Sequence, residues 1–171
     1  MIFTIGHSNH PLDRFVSLLR RYAIKEVIDI RSAPVSRFVP HFNRKALENR
    51  LPEFSFRYVY LGKELGGRPT DPAFYDESGH VLYNRLALSA LFLQGIEEVL
   101  ARDPSGASVL MCAEENPTRC HRHHLVSRVL VSRGVEISHI RSDGNLMTFS
   151  DAESEVCQTG IESGQTDMFK A

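Results

Sequence analysis

Residues 107–133 read ASVLMCAEENPTRCHRHHLVSRVLVSR, and this stretch decides the fold. Ala107–Met111 is a short apolar run of strand length. A polar, Pro-containing exit follows, and then His121–Arg133, where Leu125, Val129 and Leu130 recur at helical spacing. The same alternation extends outward in both directions. Strands are expected at Ile2–Ile5, Glu26–Ile30, Phe56–Tyr60 and Val135–Ile140. Helices are expected after Pro11, after a cap at Asn43, and over about Leu82–Ala101. Strands alternating with helices of this length predict an α/β fold, a single domain with a mostly parallel sheet of about five strands flanked by helices. The 171 residues, 42% of them hydrophobic, suffice for a single domain rather than two.

Open sheets of this class bind ligands at the carboxyl ends of their strands, so the residues at each exit matter most. The first strand delivers His7 and Ser8, the second Asp29 and Arg31. The third is followed by Gly66-Gly67-Arg68. The fourth delivers Cys112 and Glu114, and the next helix opens with Cys120-His121-Arg122. Capping and surface charge would account for any one of these. All of them together point to a shared site.

The stretch from Cys112 to Arg122 admits three chemical readings. A thiol phosphatase needs five residues between its Cys and Arg. Here six separate Cys112 from Arg119, and Glu114 and Glu115 would repel a phosphate, so that reading is excluded. A zinc site could use Cys112, Cys120 and one of His121, His123 or His124, but the paired short-range spacing of a structural finger is missing, and no metal is assigned. The third reading has Arg122 and free helix-start amides holding an anion while Glu114 handles protons.

Charge divides unevenly along the chain. The net −1 sums an Arg-rich body of +3 and a terminal segment, 150–171, of −4; the first fifty residues alone carry +5. Arg31–Arg50 interleaves Arg31, Arg37, Arg44, Lys45 and Arg50 with Phe38, His41 and Phe42. That pattern suits a nucleic-acid backbone with bases on rings, and suits a solvated loop equally well. Three cysteines fit a reducing cytoplasm rather than a disulfide scaffold. The start lacks a basic leader, and Leu86–Leu93 is too short to span a membrane. From Ser150 on, the acidic and polar composition predicts a disordered tail on a domain of residues 1–149.

Several motifs in order give a resemblance. Thr4-Ile5-Gly6-His7-Ser8, Asp29-Ile30-Arg31 with Pro34 and Ser36, Leu65-Gly66-Gly67-Arg68, Met111-Cys112-Ala113-Glu114, and Cys120-His121-Arg122 closely resemble the bacterial family numbered 488 among domains of unknown function. The resemblance runs through roughly residues 1–147 and implies that these motifs form one site; it supplies no activity. His123 and His124 are not part of its pattern. At the other end, Gln165-Thr166-Asp167-Met168-Phe169 is similar to the pentapeptide by which bacterial proteins dock on the DNA polymerase sliding clamp. Thr166 departs from the Leu often found second, and Met168 is a less usual aliphatic. On that resemblance Gln165 and Asp167 would make polar contacts, and Met168 and Phe169 would fill an apolar pocket.

The resulting expectation is a cytoplasmic DNA repair or nucleic-acid-processing enzyme, of the hydrolase or glycosidic-bond-cleaving class, recruited by the sliding clamp. Its substrate is a phosphate-bearing nucleic acid or nucleotide. Glu114, Asp29 and His7 are the catalytic candidates. Ser8, Arg31, Arg68, Cys112, Cys120, His121 and Arg122 are the substrate-binding ones, with no cofactor. The alternative is a non-catalytic module that binds nucleotide or nucleic acid through the same residues.

Overall fold

The computed structural model describes residues 1–102 and 107–159. Six strands form one sheet: β1 (Ile2–Gly6), β2 (Glu26–Asp29), β3 (Arg57–Tyr60), β4 (Ser108–Cys112), β5 (Ile137–Ile140) and β6 (Leu146–Thr148). Their order is β3-β2-β4-β1-β5-β6, with every pairing parallel except β5 with β6. The expected α/β architecture is therefore present, with β6 as an added antiparallel edge.

Alternation along the strands builds a core on each face. Phe3, Ile5, Val27, Val109 and Met111 face one side, where α1 (Leu12–Arg21) contributes Phe15 and Leu19 and α2 (Arg44–Glu53) contributes Leu47 and Leu51. Ile28, Leu110 and Cys112 face the other. There they meet Leu65 of the single turn α3 (Gly62–Leu65), Phe92 and Ile96 of α5 (Ala90–Leu100), and Leu125 and Leu130 from the segment after β4. Each fully buried Phe or Leu contributes about 1.5–3 kcal/mol by leaving water. The chain leaves β1 over one face toward β2 and leaves β4 over the opposite face toward β5. The chains that follow these adjacent strands therefore turn to opposite faces, and a crevice lies beyond their shared exits, the position where such sheets bind ligands.

Three local expectations change. The helix expected over about Leu82–Ala101 is two, α4 (Tyr83–Leu86) and α5, because Ser89 leaves the helix and its Oγ accepts from the Phe92 amide as an N-cap. The helix after β4 begins as widened π-helical turns over Arg122–Ser127 before α6 (Arg128–Ser132). The segment beginning at Ser150, expected to be disordered, starts as a helix: α7 spans Phe149–Thr159. Phe149, Ala152 and Val156 recur at helical spacing, and the latter two are buried. Its acids find partners on the body. Glu153 accepts from Arg128 at 2.9 Å and sits 2.8 Å from His123 Nε2, while Glu155 accepts from Asn116 and Thr118 at 3.0 Å. Acidity that reads as solvation is here spent on buried bases. Among the described residues no helix is long and apolar enough to cross a membrane.

Candidate functional site

The site begins with the way β1 and β4 end. The His7 amide donates to the Cys112 carbonyl at 2.9 Å and the Ser8 amide to Ala113 at 2.8 Å, so the two exits are zipped together for two residues past the sheet. Gly6 makes this possible, since a Cβ there would overlap the Glu114 carbonyl oxygen. Arg122, fully buried, fixes the same turn from beneath. Its Nη1 donates to the Glu114 carbonyl, its Nη2 to Glu115 O at 2.6 Å, and its Nε to Thr4 Oγ1 at 3.2 Å. The Glu115 carboxylate turns the other way, onto Arg141 at 3.0 Å and the Ser142 amide, and hydrogen bonding to that guanidinium holds it down at about 2. With the backbone of 114–115 held on two sides, the Glu114 side chain is left at the crevice, exposed to solvent.

Around Glu114 lie the thiols. Its Oε2 lies 3.1 Å from Cys112 Sγ and 3.3 Å from Cys120 Sγ. His121 Nδ1 is 3.7 Å from the first sulfur and 3.8 Å from the second, and its Nε2 donates to the Ile30 carbonyl at 3.1 Å. The hydrogen bond with Cys120, then burial, pushes Cys112 well up. Burial opposes ionisation of Cys120, but the hydrogen bond from Cys112 and the nearby Arg122 and His121 pull it well below the ordinary thiol value. Against its own burial, His121 is raised by its contact with Cys120. Gly67 supports the ring from above, where a Cβ would come within 2.6 Å of His121 Cβ and Cγ.

Two connected cavities line the crevice. The first, of about 270 Å³, is walled by Cys112, Cys120, His121, Glu114, Tyr83 and three arginines, Arg31, Arg68 and Arg119. The second, of about 400 Å³, carries His7, Ser8, Asn9, Val35 and Phe38, and shares Arg31, Ala33, Ala113 and Glu114 with the first. Arg68 and Arg119 are exposed, and their guanidiniums take part in no hydrogen bond or ion pair among the described residues. Phe38 is 80% exposed and Val35 75%, an apolar lip on which Arg37 stacks, 4.9 Å from the Phe38 ring.

Of the residues expected at the site, Glu114, His7, Ser8, Arg31, Arg68, Cys112, Cys120 and His121 all border this groove. Asp29 and Arg122 do not. Asp29 is wholly buried. It accepts from Arg31 through Nε at 2.8 Å and Nη2 at 2.6 Å, and from the Tyr58 hydroxyl at 2.6 Å, so both of its oxygens are committed. Arg122 spends its guanidinium on the carbonyls and hydroxyl described above, and is a brace rather than an anion ligand. Arg31 gives four of its five N–H donors to Asp29, Phe42 O and His7, leaving one on Nη1. His7 donates through Nδ1 to Ser8 O at 2.8 Å, so its Nε2 must accept from Arg31 at 2.9 Å. Burial and the adjacent guanidinium lower it to about 4, so the imidazole is neutral near pH 7. Arg119, Tyr83 and Phe38 were missed as site residues. Only the position of Arg119 beside Cys120, and Phe38 among bases, gave a sign of them in the sequence. The docking peptide Gln165, Asp167, Met168 and Phe169 lies outside the described residues.

Comparison with known proteins agrees with the motif resemblance over most of this architecture. The family model described as "Domain of unknown function DUF488" matches residues 11–129, from the start of α1 into α6, and so includes Arg31, Gly66–Arg68 and the whole of Cys112–Arg122. Comparisons with curated proteins and with solved structures found no match.

Proposed function

The chain belongs to the DUF488 family, and from that premise we propose that it is an enzyme of nucleic-acid processing or DNA repair, acting on a phosphate-bearing substrate held in the groove above β1 and β4. One juxtaposition carries the reading. Two guanidiniums without a partner among the described residues, Arg68 and Arg119, stand beside the exposed Glu114 carboxylate in a single groove whose far lip is the exposed Phe38. The guanidiniums suit a phosphate, aided by the remaining Arg31 donor. The lip suits a base, since stacking on an aromatic ring contributes about 1–3 kcal/mol. A cavity of about 270 Å³ accommodates one nucleotide-sized group and not a duplex, which implies a substrate that is single-stranded or turned out of its helix.

Glu114 is the group placed to take or give a proton in a hydrolytic or glycosidic-bond-cleaving step. Asp29 and His7 act through Arg31, and Arg122 acts through the backbone of Glu114. The free thiols Cys112 and Cys120 belong in a reducing compartment, in keeping with a cytoplasmic protein. Recruitment would run through Gln165, Asp167, Met168 and Phe169 to the sliding clamp. Full-length chain should bind the clamp and a chain ending at Gly164 should not; equal binding would remove that partner.

Glu114→Gln tests the catalytic reading. Against a panel of single-stranded, damaged and modified oligonucleotides, the variant should bind within about threefold of the parent while turnover falls about 10²–10⁴-fold. Binding without turnover of any substrate by the parent chain would instead favour the non-catalytic module. No binding at all would overturn both.

A further inference from the structure

We propose that Cys112, Cys120 and His121 are the three protein ligands of a zinc ion, with a fourth coordination position open to the groove beside Glu114. The ligand atoms lie within 4.8 Å of one another. Tetrahedral zinc, with Zn–S about 2.3 Å and Zn–N about 2.0–2.1 Å, places sulfur and nitrogen about 3.6 Å apart. The two Sγ to Nδ1 separations are 3.7 and 3.8 Å. The set is thus arranged at metal-binding spacing.

The surroundings are those of a ligand shell. His121 donates Nε2–H to the Ile30 carbonyl, which fixes the ring and leaves the Nδ1 lone pair to face the sulfurs. The Arg122 amide approaches Cys120 Sγ at 3.5 Å, a donor suited to a metal-bound thiolate. Gly67 permits the close packing that holds the ring. In the linear sequence the set lacks finger-like spacing because the ligands come from two elements. Cys112 ends β4, while Cys120 and His121 follow the turn Pro117–Arg119, so the short paired spacing of a finger never appears.

Three protein ligands with one open position is the pattern of catalytic rather than structural zinc. Glu114 Oε2 lies 3.1 and 3.3 Å from the two sulfurs and so borders that open position. This part rests on the functional reading above: a zinc-bound water would give its proton to Glu114, leaving hydroxide on the metal. Metal binding itself is independent of the substrate.

The experiment is zinc titration of the reduced, chelator-treated full chain, followed by elemental analysis after desalting. The parent chain, Cys157→Ser and Arg68→Ala should each retain about one zinc, as expected for an assembled site of this kind. Cys112→Ser, Cys120→Ser and His121→Ala should retain less than about a tenth of that, with circular dichroism confirming the fold. Cobalt in the parent chain should give the charge-transfer absorption of two thiolates and the visible bands of a tetrahedral ion, a readout that needs no variant. Glu114→Gln should keep zinc; its loss would make Glu114 a ligand and close the open position. No retained metal, or equal retention by the cysteine variants, overturns the site. Because Arg68→Ala keeps zinc while weakening oligonucleotide binding, failure of the metal site and failure of the nucleic-acid reading are separable.

Discussion

Asp29 shows how a carboxylate at a strand end can matter without touching a substrate. It neutralises Arg31, receives the Tyr58 hydroxyl, and thereby lets a charged guanidinium stand as a wall of the groove while only 7% exposed. Asp29→Asn should cost about 3–5 kcal/mol, because it strands that buried cation. Chemical denaturation would register the loss, and a variant of unaltered stability would restore Asp29 as a free acid or base. The buried imidazoles carry the pH dependence. Burial and the charge of Arg122 lower His139 to about 3, and burial with Arg31 lowers His7 to about 4, against 6.5 when unfolded. Both are therefore neutral in the fold and bind protons more readily when unfolded. Their contribution is complete above pH 6.5 and drains away as pH falls toward their folded values. Between pH 6.5 and 5 each should account for about 1–2 kcal/mol of lost stability, read as a falling urea midpoint and flattened in His139→Gln.

At the scale of elements, β1 to β5 were legible because each is a short run of β-branched or other apolar residues bounded by turn or helix signals, whereas the three-residue edge β6 was not. The exits were legible because the sheet places them together. Asp29 and Arg122 were misassigned for a physical reason: position at a strand end says that a side chain is near the crevice, not whether its hydrogen bonds are already spent. Arg119 and Tyr83 arrive from a turn and from α4, through tertiary packing that no periodicity encodes. The helix α7 was hidden by composition, since its charged face reads as solvated until Arg128 and His123 are known to be buried beneath it. Glu153→Ala leaves buried Arg128 without its partner and should cost about 1–3 kcal/mol in thermal or urea unfolding. An unchanged midpoint would mean that α7 is held by Ala152, Val156 and the Glu155 hydrogen bonds without Glu153.

For the whole molecule, Glu153 of α7 is paired with Arg128, while the Arg68 and Arg119 guanidiniums have no ion-pair partner among the described residues, so near-neutral net charge coexists with a local cluster of guanidiniums at the groove. Binding of a single-stranded oligonucleotide should accordingly weaken with salt. Arg68→Ala and Arg119→Ala should each reduce the slope of log K against log salt by about 0.7, the loss of one phosphate contact. Slopes equal to that of the parent chain would place the phosphates elsewhere. The strand order also dictates when the molecule can come together during synthesis. Phe3 pairs opposite Val109 and Ile2 opposite Ile137, whereas β2 and β3 are near in sequence. At about 5–20 residues per second, the first strand waits on the order of ten seconds for its neighbours. Until β4 is inserted between β2 and β1, neither the sheet nor the crevice exists, and the apolar edge of β1 is the surface a nascent chain must keep from mispairing.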